Sequence, residues 1–162
     1  MLSDNLIIQF PKIGAEYEGY ISIAEVGKTC PFPIQRTYWI YDCPEFMKRG
    51  GHAHRHNLHQ ILICVAGQVE IALFDGFEKK AFTLNNPTMG LYQPPLVWGD
   101  LIYQQNSVLL VLASKLYAAE DYIRDYQEFI KIAHSVREFG ETRETRGVQE
   151  SMPNTYHLPP NT

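Results

Sequence analysis

Apolar and polar positions along the first two-thirds of the chain recur with the short periods of β-strands. Tyr38-Trp39-Ile40-Tyr41 is aromatic and β-branched, and Asp42-Cys43-Pro44-Glu45 after it reads as a turn. His59 to Val65 is almost continuously apolar, which predicts a strand buried on both faces and ended by Ala66-Gly67. Gln68 to Phe74 alternates polar and apolar side chains, so one face covers a core, and Asp75-Gly76 is a hairpin signal. Phe82-Thr83-Leu84 is broken by Asn85-Asn86-Pro87, Met89 to Tyr92 leads into Gln93-Pro94-Pro95, and Ser107 to Ala113 supplies another buried strand. Short strands with Gly and Pro punctuation and no intervening helices predict an all-β sandwich or barrel. Between Ala119 and Phe139 the period changes. Tyr122, Ile123, Tyr126, Phe129, Ile130, Ala133 and Val136 recur at three- and four-residue steps, the stripe of one amphipathic helix packed on the barrel or on a second subunit. From Gly140 the chain is polar and aperiodic and cannot bury enough apolar area to offset its ordering entropy. The expected organisation is one domain over residues 1–139, helix included, and a mobile or partner-bound tail over 140–162.

Composition narrows the function. A chain of 162 residues suits a single core that buries roughly two-thirds of the surface exposed when unfolded. The net charge of -4 and the scattered basic residues speak against nucleic acid or an anionic membrane as partner. Cys30, Cys43 and Cys64 are odd in number and far apart, so reduced structural thiols are expected. The N-terminus lacks the positive and apolar regions of a leader, and no apolar run approaches ~18 residues. A soluble cytoplasmic protein is the expectation.

Chemistry is concentrated in Arg49-Gly50-Gly51-His52-Ala53-His54-Arg55-His56-Asn57-Leu58-His59, which gathers four of the six histidines. Histidine moves protons near neutral pH and also ligates metals. In an extended segment His52 and His54 project to the same face. His56, following Arg55 in a polar turn, is read as solvated. A His-x-His pair ahead of a buried strand resembles the metal-binding motif of the cupin barrel, whose metal-binding members add a nearby Glu and a later His. Here His59 or Gln60 takes the place of the Glu, and Gly99 stands where the last His is expected. His52, His54 and His59 are the alternative metal set.

A wider resemblance rests on Phe32 to Asp42, Arg49 to His54, Gln60 to Val65, Pro94-Pro95-Leu96-Val97-Trp98 and Tyr122 to Phe129. In that order these blocks resemble the WxcM-like family of sugar 3,4-ketoisomerases, over about Ile7 to Phe129. The resemblance implies a cupin barrel (a jelly-roll, double-stranded β-helix) with one C-terminal helix, working without metal or other cofactor as a homodimer. It implies a dTDP-linked 4-keto-6-deoxyhexose as substrate, its keto group moved from C4 to C3 on a route to surface-polysaccharide sugars. Some relatives carry His or Arg just after the motif's Trp, a position thought to influence the face of reprotonation; Gly99 can neither donate nor block, and Asp100 is the candidate to replace it.

That reaction takes a proton from C3, passes through an enediol and returns a proton at C4, which is general acid–base work suited to two histidines on one pocket. The resemblance makes His52 the candidate base and His54 its proton-transferring partner. Arg36 and Arg49 are candidates for the diphosphate, since a guanidinium grips phosphate oxygens bidentately. Tyr38, Tyr41, Tyr92, Gln60 and Trp98 complete the candidate substrate contacts. The competing readings are a metal-dependent dioxygenase or sugar isomerase, and a sugar-nucleotide-binding protein without turnover.

Overall fold

The computed structural model describes residues 2–3, 5–55 and 57–144, with side chains through 138; His56 and the tail beyond 144 lie outside the described residues. Two five-stranded antiparallel sheets face each other. The first runs β1 (Ile7–Gln9), β9 (Met89–Gln93), β6 (Gln60–Ala66), β11 (Val108–Ala113) and β4 (Arg36–Ile40). The second runs β12 (Tyr122–Ile123), β5 (Met47–His54), β10 (Trp98–Tyr103), β7 (Val69–Phe74) and β8 (Lys79–Leu84). A separate hairpin joins β2 (Ile13–Ala15) and β3 (Gly19–Ile21). This is the expected all-β barrel with one helix, α1 (Tyr126–Glu144).

The period-two pattern explains the layers. Leu62, Cys64, Leu91, Leu109 and Val111 of the first sheet meet Val69, Ile71, Leu73, Leu101 and Tyr103 of the second in the central core. The opposite side of β6 is buried too: Ile61 and Ile63 lie under Phe10, Cys30 and Phe32 of the N-terminal segment. That cover is why β6 reads as a nearly continuous apolar run. All three cysteines are free and buried.

The helix begins later than its apolar stripe predicts. Asp125 accepts a hydrogen bond from the Glu128 backbone N–H at 2.7 Å, a side-chain cap that starts α1 at Tyr126. Ahead of the cap, Ala119–Asp121 forms a single 3-10 turn, and Tyr122–Ile123 pairs with Ala53 and His54 as an edge strand. The apparent helical spacing of Tyr122 and Ile123 therefore conceals a strand. Phe129 and Ala133 of α1 pack on Ala53, Trp98 and Ile123, while Val136 is exposed. The helix continues through Gly140 to Glu144, past the expected boundary at 139. No helix among the described residues is long and apolar enough to cross a membrane.

Candidate active site

β5 reaches the barrel mouth through Gly50 and Gly51. Gly50 has φ +80°, and a Cβ on it would fall 2.3 Å from the Gly99 carbonyl oxygen, so only glycine lets β5 and β10 approach there. The ladder between the two strands is irregular at Gly99/Asp100. Beyond this point His52 and His54 emerge on one face, as their spacing requires. Their rings meet edge-on with centroids 5.0 Å apart.

Tyr122 completes the cluster. Its ring lies 4.9 Å from that of His52 and 4.5 Å from that of His54, and the Arg124 guanidinium stands 4.7 Å from its centroid. His52 lines a cavity of about 630 Å³ together with Tyr38, Arg49, Gln60, Gln93, Tyr122 and Arg124. His54 is buried behind, its Nδ1 3.3 Å from the Asp121 carboxylate. The His52 Nδ1 lies 3.1 Å from the Gly50 carbonyl oxygen, which leaves the other ring nitrogen for chemistry.

Electrostatics keep this pair neutral near pH 7. Burial lowers the His52 pKa, with a further push from Arg124, against the raising effects of the Gly50 carbonyl and Asp100. His54 is pushed down to about 4, mainly by burial and then by His52, although Asp121 opposes the shift. A neutral imidazole on a cavity wall can accept a proton. Burial also raises the pKa of Tyr38, so its hydroxyl stays protonated and receives a hydrogen bond from Gln60 Nε2 at 2.9 Å.

The remaining candidates divide by strand parity. On β4, Arg36, Tyr38 and Ile40 are half-buried and Trp39 is exposed; Tyr41, just past the strand, is exposed too and borders the cavity. Arg36 does not line the cavity; its guanidinium lies beside the rings of Tyr38 and Tyr117, at 5.2 and 5.5 Å. Arg49 does line it.

Tyr92 and Trp98 lie elsewhere, contrary to expectation. On β9 the inward positions are Leu91 and Gln93, so Tyr92 points outward and its hydroxyl meets His59 Nδ1 at 2.5 Å. Trp98 is covered by α1, with ring centroids 5.1 Å from Tyr126 and 5.4 Å from Phe129. Asp100 is also outside the cavity, exposed and accepting a hydrogen bond from Trp98 Nε1 at 3.1 Å. It does not replace a side chain at position 99.

His59 likewise turns away from the other two histidines, packing near Phe32 and Tyr92 while its neighbour Gln60 faces the cavity. The alternative metal set is thereby split: His52 and His54 stand on β5 of the second sheet, whereas His59, just ahead of β6, lies on the outer side of the first. Among the described residues, no three His, Cys, Asp or Glu side chains converge as metal ligands would.

Four contributors, Tyr122, Asp121, Arg124 and Gln93, are absent from the sequence-derived candidates. The signal for the first three was the Asp125-x-x-Glu128 capping pattern, which places the helix start after them.

Comparison with known proteins gives the arrangement a context. A family described as FdtA: WxcM-like, C-terminal, matches residues 3–134. The TDP-4-oxo-6-deoxy-alpha-D-glucose-3,4-oxoisomerase of Aneurinibacillus thermoaerophilus is 39% identical over 129 residues, covering 79% of this chain and 91% of its own. The crystal structure of QdtA, a sugar 3,4-ketoisomerase from Thermoanaerobacterium thermosaccharolyticum in complex with TDP, superposes with a TM-score of 0.76 at 40% identity, over 80% of this chain and 94% of that one. A histidine-to-asparagine mutant of QdtA in complex with TDP-4-keto-6-deoxyglucose gives 0.78 at 40% identity, over 83% and 97%.

Proposed function

The chain belongs to the FdtA, WxcM-like family, and from that membership we propose that it is a sugar-nucleotide 3,4-ketoisomerase acting on a dTDP-linked 4-keto-6-deoxyhexose. The observation that carries the mechanism is the His52–His54–Tyr122 cluster on the wall of a 630 Å³ cavity. His52 is the group open to the cavity, and it removes the proton on C3. The electron pair forms the C3–C4 double bond while the C4 oxygen gains a proton, giving the enediol. Return of a proton to C4 and loss of the C3 hydroxyl proton leave the ketone on C3, with no net change in oxidation state.

His54, held by Asp121, supports proton movement through the adjoining His52 and Tyr122. Because its pKa is depressed it exchanges protons without storing a charge beside the base. Arg49 and Arg124 on the cavity wall have the charge and donor geometry for the diphosphate, and Arg36 steadies Tyr38 from the side. Tyr38 and Gln60, already joined by a hydrogen bond, present polar groups to the ligand. A histidine-to-asparagine relative that holds its keto sugar in the crystal fits a histidine whose loss spares binding.

The reading extends to a homodimer in the cytoplasm, serving deoxysugar synthesis for surface polysaccharide. Exposed Ile13, Tyr20 and Ile21 on the β2–β3 hairpin and Trp39 on edge strand β4 offer apolar surface for a second copy.

The test is incubation of metal-stripped protein with dTDP-4-keto-6-deoxyglucose in deuterated water, followed by NMR. Deuterium at C4 with a new C3 ketone supports the reading. No conversion, or conversion only after metal is restored, overturns it.

A further inference from the structure

Gln93 is a buried polar side chain that the mechanism above leaves without a task. Its exposure is 6%, and it lines the cavity with His52, Tyr38 and Gln60. Nε2 donates to the Val97 carbonyl at 3.0 Å, which fixes the carboxamide across the Pro94-Pro95 turn. Among the described residues, Oε1 accepts no hydrogen bond and the second N–H of the amide has no partner. Three of the four hydrogen-bonding sites of this carboxamide are thus left for a ligand or water in the cavity it lines.

The space for this carboxamide comes from position 99. A Cβ on Gly99 would stand 3.0 Å from Gln93 Nε2 and 3.5 Å from Oε1. Gly99 is paired with His52 across β10 and β5, and Gln93 with Gln60 across β9 and β6. The two glutamines thus face the interior as neighbours on one sheet, opposite the histidine strand on the other. The bare backbone of Gly99 lets the Gln93 amide lie against β10, at the residue paired with His52 on β5.

We propose that Gln93 is a substrate-orienting residue that bonds the vicinal oxygens of the sugar ring. Its Oε1 accepts from the C3 hydroxyl and its unused N–H donates to the C4 carbonyl oxygen. A carboxamide does not titrate in the working range, so its contribution is to hold the ring with C3 toward His52 rather than to move protons. Complementary donor and acceptor on one planar group suit an α-hydroxyketone and, after proton transfer, the enediol.

The inference rests on the ketoisomerase reading, and its test separates the two. Affinities of the full-length protein for TDP and for dTDP-4-keto-6-deoxyglucose are measured by calorimetry, with metal-stripped protein, in wild type, Gln93→Leu and Gly99→Ala. TDP lacks the hexose, so the ratio of the two affinities isolates the sugar contacts. Gln93→Leu is expected to keep TDP affinity within about twofold, to lower that ratio by about tenfold as loss of one or two hydrogen bonds should, and to lower kcat. Gly99→Ala, which pushes the carboxamide aside without removing it, should change the ratio in the same direction by less. An unchanged ratio in Gln93→Leu overturns the proposal. Loss of TDP binding in that variant is resolved by Gly99→Ala, where an unchanged ratio has the same consequence. A wild-type protein without turnover refutes the ketoisomerase reading alone, because the affinity ratio still reports the Gln93 contact.

Discussion

His52 and His54 share one strand face, with rings 5.0 Å apart, yet only His52 opens on the cavity while His54 is 97% removed from solvent. Equivalent positions in sequence thereby become unequal positions in chemistry. The front ring can touch a sugar carbon; the rear ring touches Asp121, Tyr122 and its partner.

Replacement of the front ring should separate binding from turnover. His52→Asn keeps a polar side chain of similar size but removes the base, so turnover is expected to fall by about 10²–10⁴-fold with the affinity for TDP preserved. Stopped assays and calorimetry on the same preparation check this, and retained activity would remove His52 from the mechanism.

The rear ring should matter for rate and depend on its carboxylate. His54→Asn is expected to lower kcat strongly, and Asp121→Asn to lower it less while shifting the pH profile. Unaltered kcat in both variants would leave the buried pair with a structural role only.

Acid should weaken both activity and fold. His52 must be neutral to accept a proton, and its pKa lies below 6.5, so kcat/KM should hold down to slightly acidic pH and then fall as the ring protonates. For stability, the unfolded chain binds a proton on the His54 side chain near 6.5, while the folded chain resists until about 4. The unfolded state therefore binds more protons in that window, and the stability contributed by keeping His54 neutral is lost as pH falls from about 6.5 toward 4. Thermal melting of wild type and His54→Asn across that range should show a steeper loss in the wild type; parallel curves would contradict the buried neutral ring.

Arg49 and Tyr122 should divide along the line between binding and rate. Arg49→Ala removes a cavity-wall cation and is expected to raise KM by about tenfold or more with a smaller effect on kcat. Tyr122→Phe keeps the ring between the histidines and loses only the hydroxyl, so a selective fall in kcat is expected. Steady-state kinetics on both variants decide, and the reverse pattern would exchange their roles.

Much of this site was legible as pattern. The run of histidines, the period-two strands and the ordered motif blocks led to the barrel, the family and the two neighbouring histidines, of which His52 lines the cavity and His54 is buried behind it. Tyr92 and Trp98 were placed on the wrong side because aromatic residues serve pocket and packing equally well, and α1 and the N-terminal segment supply a second layer of packing.

Local alternation by itself determined that His52 accompanies His54 and that Arg36 accompanies Tyr38, because neighbouring Cβ atoms of a strand point to opposite faces. Alternation does not say which face is inside. Only the closing of two sheets around one core decided that Gln60 and Gln93 point in while His59 and Tyr92 point out. The same long-range pairing took Tyr122 from a helical stripe and laid it beside His54, since an edge strand that satisfies its backbone on β5 outweighs a period of three and four in so short a segment.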